Sequence, residues 1–150
     1  MRSIARLRLA CVVLAAALPL RAEVFTPQHV ARIRTVTSVA MAPDGSKVAY
    51  ALSVPRRPLT DEDGPAWAEL HVVGRDGVSR SYVTGEVNVS GVAWTKDGRS
   101  ISFLAKRGKD EHRSLYQIPA EGGEARRLLA FGTDITACAW SPDGRRVAFL

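Results

Sequence analysis

The stretch Val92-Ala-Trp-Thr-Lys-Asp-Gly-Arg-Ser-Ile-Ser-Phe-Leu104 decides how this chain is read, because the sequence writes it three times. The other copies are Val39-Ala-Met-Ala-Pro-Asp-Gly-Ser-Lys-Val-Ala-Tyr-Ala51 and Cys138-Ala-Trp-Ser-Pro-Asp-Gly-Arg-Arg-Val-Ala-Phe-Leu150, aligned without gaps on Asp44, Asp97 and Asp143. Each copy is an apolar run, an Asp-Gly turn and a second apolar run, which is the signature of a β-hairpin. Pro43 and Pro142 preset the first turn position, and Gly45, Gly98 and Gly144 supply a positive φ. Lys96 replaces proline in the second copy. The aspartates read as turn-formers, not as catalytic carboxylates.

The second run of each hairpin says how the strands are buried. In Lys47 to Leu52, Val48, Tyr50 and Leu52 share one face, and Ala49 and Ala51 share the other. A strand with one wet face alternates apolar with polar residues. This one is apolar on both sides, as are Ile101 to Leu104 and Val147 to Leu150, so sheets stacked face to face are expected.

A second repeated half lies between the hairpins. Leu70-His-Val-Val-Gly-Arg-Asp-Gly77 aligns with Leu115-Tyr-Gln-Ile-Pro-Ala-Glu-Gly122, and Ser79 to Val83 matches Ala125 to Leu129. A full unit is therefore four strands, with 53 residues from Asp44 to Asp97 and 46 from Asp97 to Asp143. Tandem four-stranded units of about 40–50 residues indicate an all-β fold, a β-propeller. A propeller ring closes with about four to eight blades. Residues 36–150 supply two blades and the start of a third, an incomplete propeller domain. The chain is accordingly expected to be the N-terminal portion of a longer protein, and its open edges and bare apolar faces predict aggregation when it stands alone.

The N-terminus accounts for the net charge of +6. Arg2, Arg6 and Arg8 precede an unbroken apolar run of 12 residues, Leu9 to Leu20, and a small residue follows at Ala22. That pattern is a secretory signal peptide, residues 1–22, and the run is short for a membrane span of about 20 residues. Cleavage after Ala22 removes four of the 21 basic residues and none of the 15 acids, leaving a charge of +2 and no stable membrane span. A near-neutral mature chain gives no support to nucleic-acid binding, which needs a clustered basic face. An exported chain, periplasmic or secreted, is expected. Cys138 alone would remain, so no internal disulfide is possible, and its position among valines in the other copies reads as a small core residue.

Residues 23–35 form a lead segment. Thr26 before Pro27 fits a helix N-cap and first position, and Val30 and Ile33 fall on one face, predicting a short helix docked on the domain edge. The segment Val54 to Ala68, rich in proline and carrying Asp61-Glu-Asp-Gly64, and its counterpart Lys106 to Arg113 read as solvated hairpin loops. The acidic run lacks the later bidentate glutamate of a calcium loop. His29, His71 and His112 are scattered, with His71 reading as a satisfied strand residue. Asn88-Val-Ser90 matches a glycosylation sequon. No Gly-x-Ser-x-Gly elbow, zinc motif, phosphate loop or dinucleotide fingerprint occurs. Catalytic, cofactor-binding and metal-binding residues are therefore each assigned as none.

The Pro-Asp-Gly repeats, with Leu115-Tyr-Gln-Ile-Pro-Ala-Glu-Gly-Gly123 between them, resemble the propeller repeats of two exported groups. One is the prolyl oligopeptidase family of serine peptidases, in its dipeptidyl-peptidase and acylaminoacyl-peptidase-like branch. The other is the TolB-type periplasmic propeller, which is not an enzyme. Phe25-Thr-Pro-Gln-His-Val-Ala-Arg-Ile-Arg-Thr-Val36, running straight into the first blade, resembles the start of the peptidases, whereas TolB places a separate α/β domain there. The peptidase resemblance implies a C-terminal α/β-hydrolase domain with a Ser-Asp-His triad, none of it within these residues, and a peptide or acyl-peptide substrate filtered or held by the propeller.

Overall fold

The computed structural model describes residues 24–150; the signal-peptide reading of residues 1–22 lies outside them. One helical turn, α1 (Pro27–Val30), precedes ten strands. The first blade is β1 (Thr35–Met41), β2 (Lys47–Val54), β3 (Trp67–Gly74) and β4 (Ser79–Val83). The second is β5 (Ser90–Trp94), β6 (Ser100–Ala105), β7 (Ser114–Pro119) and β8 (Arg126–Leu129). β9 (Cys138–Trp140) and β10 (Val147–Phe149) make a third hairpin. Every sheet is antiparallel, and each blade keeps its strands in chain order. This is a partial propeller of two four-stranded blades and the beginning of a third.

The turns form as their residues dictate. The Gly45 N–H donates to the Ala42 carbonyl (2.9 Å), Gly98 to Thr95 (2.9 Å) and Gly144 to Ser141 (2.8 Å). All three glycines sit near φ +70°. The aspartate beside each closes the loop by accepting from the backbone two residues on: Ser46 to Asp44 (2.9 Å), Arg99 to Asp97 (3.1 Å) and Arg145 to Asp143 (3.0 Å). This Asx-turn geometry holds the chain where a backbone turn alone would be loose. The backbone and hydroxyl donors of Ser46 hold the Asp44 carboxyl below the usual range. The hydroxyl of Thr95 and the N–H of Arg99 do the same for Asp97, and those of Ser141 and Arg145 for Asp143.

The blades stack. Ala49, Ala51, Leu70 and Val72 on the rear of the first blade are buried against Val92, Ile101, Phe103 and Tyr116 on the front of the second. The small residues of β2 let the large ones of β6 approach, and Ala49, Ala51, Ile101 and Phe103 are each fully buried. The rear of the second blade, through Leu104 and Leu115, meets Ile135 of the connecting segment and Cys138, Trp140 and Val147 of the third hairpin. The second blade is thus covered on both faces. The front of the first is not: Val36, Val39 and Met41 are more than half exposed.

Polar links cross the same joints. Trp94 Nε1 donates to the Ala40 carbonyl (2.9 Å), and its counterpart Trp140 donates to Ser102 Oγ (2.9 Å). Lys47 Nζ and Tyr82 OH both donate to the Ala120 carbonyl (3.1 and 2.7 Å), and Lys47 pairs with Glu121 at 2.8 Å. The turns stack as well. A β-carbon at Gly98 would stand 3.5 Å from Pro43 Cδ, and one at Gly144 only 3.3 Å from Lys96 Cβ.

The lead differs from the sequence expectation in one respect. Thr26 and Pro27 do open the helix, and the Thr26 N–H donates to His29 Nδ1 (3.1 Å). Val30 and Ile33, however, are not docked; both are about half exposed, and α1 buries no residue. A single turn presents too little apolar surface to seat itself without a facing groove.

Candidate functional site

A cleft of about 640 Å³ opens beside the 55–66 loop of the first blade, at the end of the sheet opposite the Asp-Gly turns. Its wall is built by arginines. The Arg56 guanidinium lies 4.0 Å from the centroid of the Trp67 ring and donates to the carbonyls of Pro65 and Glu62 (2.9 Å each). A planar, permanently charged group stacks and forks at once, which a lysine cannot do. A β-carbon at Gly64 would fall 2.8 Å from that guanidinium and would have to displace it. Arg57 clasps Asp61 by its backbone N–H (2.8 Å) and its guanidinium (3.0 and 3.2 Å). Those bonds hold the Asp61 carboxyl below the usual range. The segment is therefore an organised loop, tighter than a merely solvated one.

The cleft floor is Glu69. Its Oε1 accepts from the Gly85 N–H (3.1 Å), and its Oε2 lies 3.1 Å from His71 Nε2. His71 stacks on Tyr50 with centroids 5.6 Å apart. Ser79 Oγ lies 3.5 Å from His71 Nδ1 and 2.5 Å from Tyr50 OH. Glu69, His71, Ser79 and Tyr50 thus form one hydrogen-bonded chain across the front of the first blade. Alternation along β3 puts Glu69 and His71 on one face. The partners across the sheet could not be read, because β3 and β4 slip register between Leu70 and His71.

The carboxylates of Asp61-Glu62-Asp63 do not converge. Asp61 faces Arg57, and among the described residues no group of three or more His, Cys, Asp or Glu could hold a metal ion. His29 belongs to α1, and His112 Nδ1 lies 3.7 Å from Asp134 in the 106–113 loop region. Asn88 is exposed beside β3, bridged to Ala68. Cys138 is half-buried in the second joint, where burial pushes its thiol pKa up and away from nucleophilic use. In the second blade, Asp110 sits between Tyr116 OH, the Arg107 N–H and Arg127 Nη1 at 2.5 Å. Burial pushes the Asp110 carboxyl up, but those donors outweigh it and the net shift is downward. Burial and then the bond to Asp110 raise Tyr116 to about 12. Chemically, the cleft offers arginine donors, one of them lying over Trp67, and the Glu69 carboxylate as acceptor.

No protein-family model matches the chain. It is 30% identical over 106 residues to a Bacillus subtilis protein described as the uncharacterized peptidase YuxL, covering 71% of this chain and 16% of that protein. It is 33% identical over 87 residues to dipeptidyl-peptidase 5 of Porphyromonas gingivalis, covering 57% of this chain and 12% of that protein. The chain thus spans well under a fifth of the curated relatives it matches. Among solved structures, it superposes on a protein assigned as TolB from Agrobacterium tumefaciens with a TM-score of 0.60 at 21% identity, covering 77% of this chain and 38% of that one. TolB from Acinetobacter baumannii superposes with a TM-score of 0.53 at 17% identity, covering 74% of this chain and 25% of that one. These likenesses establish the propeller architecture, with sequence similarity to proteins described as peptidases. Among the described residues no helix is long and apolar enough to cross a membrane.

Proposed function

We propose that this chain forms part of the propeller of an exported serine peptidase, where it holds or screens peptide substrates for a hydrolase domain that supplies the catalytic triad. The observation that carries the reading is that both curated relatives, at 30% and 33% identity, are described as peptidases. The basic, apolar and small-residue order of residues 1–22 supports export. The cleft beside the 55–66 loop is the place proposed for peptide contact, since it combines guanidinium donors with carboxylate acceptors at a sheet end.

The experiment uses the full reading frame of the gene beside the 150-residue chain. The longer product is expected to take up a serine-directed fluorophosphonate label and to cleave dipeptidyl or acyl-peptide chromogenic substrates; the 150-residue chain is expected to do neither. Turnover by the 150-residue chain overturns the reading. A longer product that neither labels nor turns over also overturns it, in favour of a TolB-like binding propeller.

A further inference from the structure

We propose that a cleft at the 106–113 loop end of the second blade holds a carboxylate of the bound peptide, an inference that rests on the peptide-holding role proposed above. The repeat puts a cleft at the same place in both blades, between the loop joining the two middle strands and the segment leading to the next blade. In the first blade it runs between Trp67 and Glu69 on one side and Gly85 and Glu86 on the other. In the second, about 280 Å³, it runs between His112 and Ser114 and the residues Ala130, Phe131 and Gly132. One kind of backbone link shapes both. The Ala68 N–H donates to the Val87 carbonyl (2.8 Å), and the Ile135 N–H donates to the Arg113 carbonyl (3.0 Å). The second cleft stays open with a blade packed in front of its sheet and a hairpin behind it, so it does not depend on a bare sheet face.

The two clefts differ in sign. Two arginines and four acids line the first, Arg56 and Arg57 against Asp61, Glu62, Glu69 and Glu86. Around the second, Lys106, Arg107, Lys109, Arg113 and Arg127 outnumber Asp110, Glu111 and Asp134. Two of those acids are already occupied. The Asp110 side chain is 6% exposed and accepts from Tyr116 OH, the Arg107 N–H and Arg127 Nη1. Asp134 accepts from the Arg113 N–H (2.6 Å), and that bond first, then the nearby charges of Arg113 and Lys106, hold its carboxyl below the usual range. The cations are freer: among the described residues, Lys106, Lys109 and the side chains of Arg107 and Arg113 have no ion-pair partner. The Arg127 side chain gives one nitrogen to Asp110 and is 53% exposed, so its remaining N–H groups and the exposed Lys109 ammonium are the donors a ligand meets. A guanidinium held in place by a buried carboxylate presents a fixed plane, which suits two-point bonding to a second carboxylate.

The test is fluorescence anisotropy of labelled peptides titrated with the 150-residue chain and with the product of the full reading frame, with circular dichroism to confirm folding. One peptide is amidated and carries glutamates. A twin carries lysines in their place, and a third is neutral with a free C-terminus. Binding is read without turnover, so its failure is distinct from failure of the peptidase reading, which the label and the chromogenic substrates decide. A carboxylate-bearing peptide is expected to bind about tenfold more tightly than the lysine twin, less so at high salt, and which of the two does so names the source of the carboxylate. Lys109→Glu is expected to weaken that binding about fivefold or more, whereas Arg145→Glu, the same charge change beside the third Asp-Gly turn, should leave it within about twofold. Two carboxylate peptides that bind no better than the lysine twin overturn the proposal. So does binding that Lys109→Glu leaves unchanged, or that Arg145→Glu weakens as much.

Discussion

The two complete blades have the same strands in the same order, yet the same positions live in different surroundings. Phe103 is fully buried on the front of the second blade, while Tyr50, its counterpart, is half-buried on the front of the first. Each stacks on a ring from the neighbouring strand, Phe103 on Tyr116 (5.8 Å) and Tyr50 on His71 (5.6 Å). Where the second blade carries Phe103, Tyr116, Ser114 and Ala125, the first carries Tyr50, His71, Glu69 and Ser79. The covered face is apolar because water is excluded from it. The uncovered face has polar atoms, and they are satisfied by one another. The lesson is that a repeat fixes the strands, while burial of a residue is set by whether another blade stands in front of it.

The largest effect should separate those two faces. Phe103→Ala is expected to cost about 3–5 kcal/mol, the loss typical of a buried aromatic ring, whereas Tyr50→Ala should cost well under half of that. Urea unfolding of the two variants checks it, and equal costs would break the comparison. Next, Trp94→Phe removes the indole donor from the Ala40 carbonyl and is expected to cost about 1 kcal/mol. Met41→Trp, at the uncovered counterpart, should change stability by less than about 0.5 kcal/mol. Thermal melts distinguish the pair.

The third prediction concerns alkaline pH. Tyr116 is raised to about 12, by burial first and the Asp110 bond second. A raised folded-state value means that its contribution is complete below the unfolded value of about 10. It is lost as pH climbs through about 12. Ultraviolet titration should show one late phenol, and Asp110→Asn should bring that phenol to lower pH. An unmoved titration would dissociate Tyr116 from the Asp110 cluster.

The smallest effect lies in the turns. Asp44, Asp97 and Asp143 have values lowered by local donors, so their contribution is present above about 3.8 and fades as pH falls below it. Asp97→Asn should slightly flatten the fall in melting temperature between about pH 5 and pH 2. An unchanged slope would sharpen the comparison by confining acid sensitivity to other carboxylates.

The blades were legible because their period-2 runs and Asp-Gly turns are local signals. Residues 106–113 separate β6 from β7 just as the sequence proposed, and the turn role of the aspartates appears in their backbone bonds. What could not be read depends on contacts between distant residues. The register slip between Leu70 and His71 recurs between Leu115 and Tyr116, and neither sequence marks it with glycine or proline. Arg56 was simply one charge in a proline-rich loop until the fold set it over Trp67. The docking expected of Val30 and Ile33 failed because periodicity describes a face but not a surface to receive it.

Pro43 resting on Gly98, and Lys96 on Gly144, carry a consequence for how such chains grow. Each hairpin brings both parts of that contact, a glycine that receives the preceding turn and a residue two places earlier that reaches the following one. A duplicated segment of this gene would therefore arrive already fitted to its neighbours on either side. Lineages descended from such a chain could gain or shed a unit in one genetic event, without waiting for matching substitutions at the new junctions.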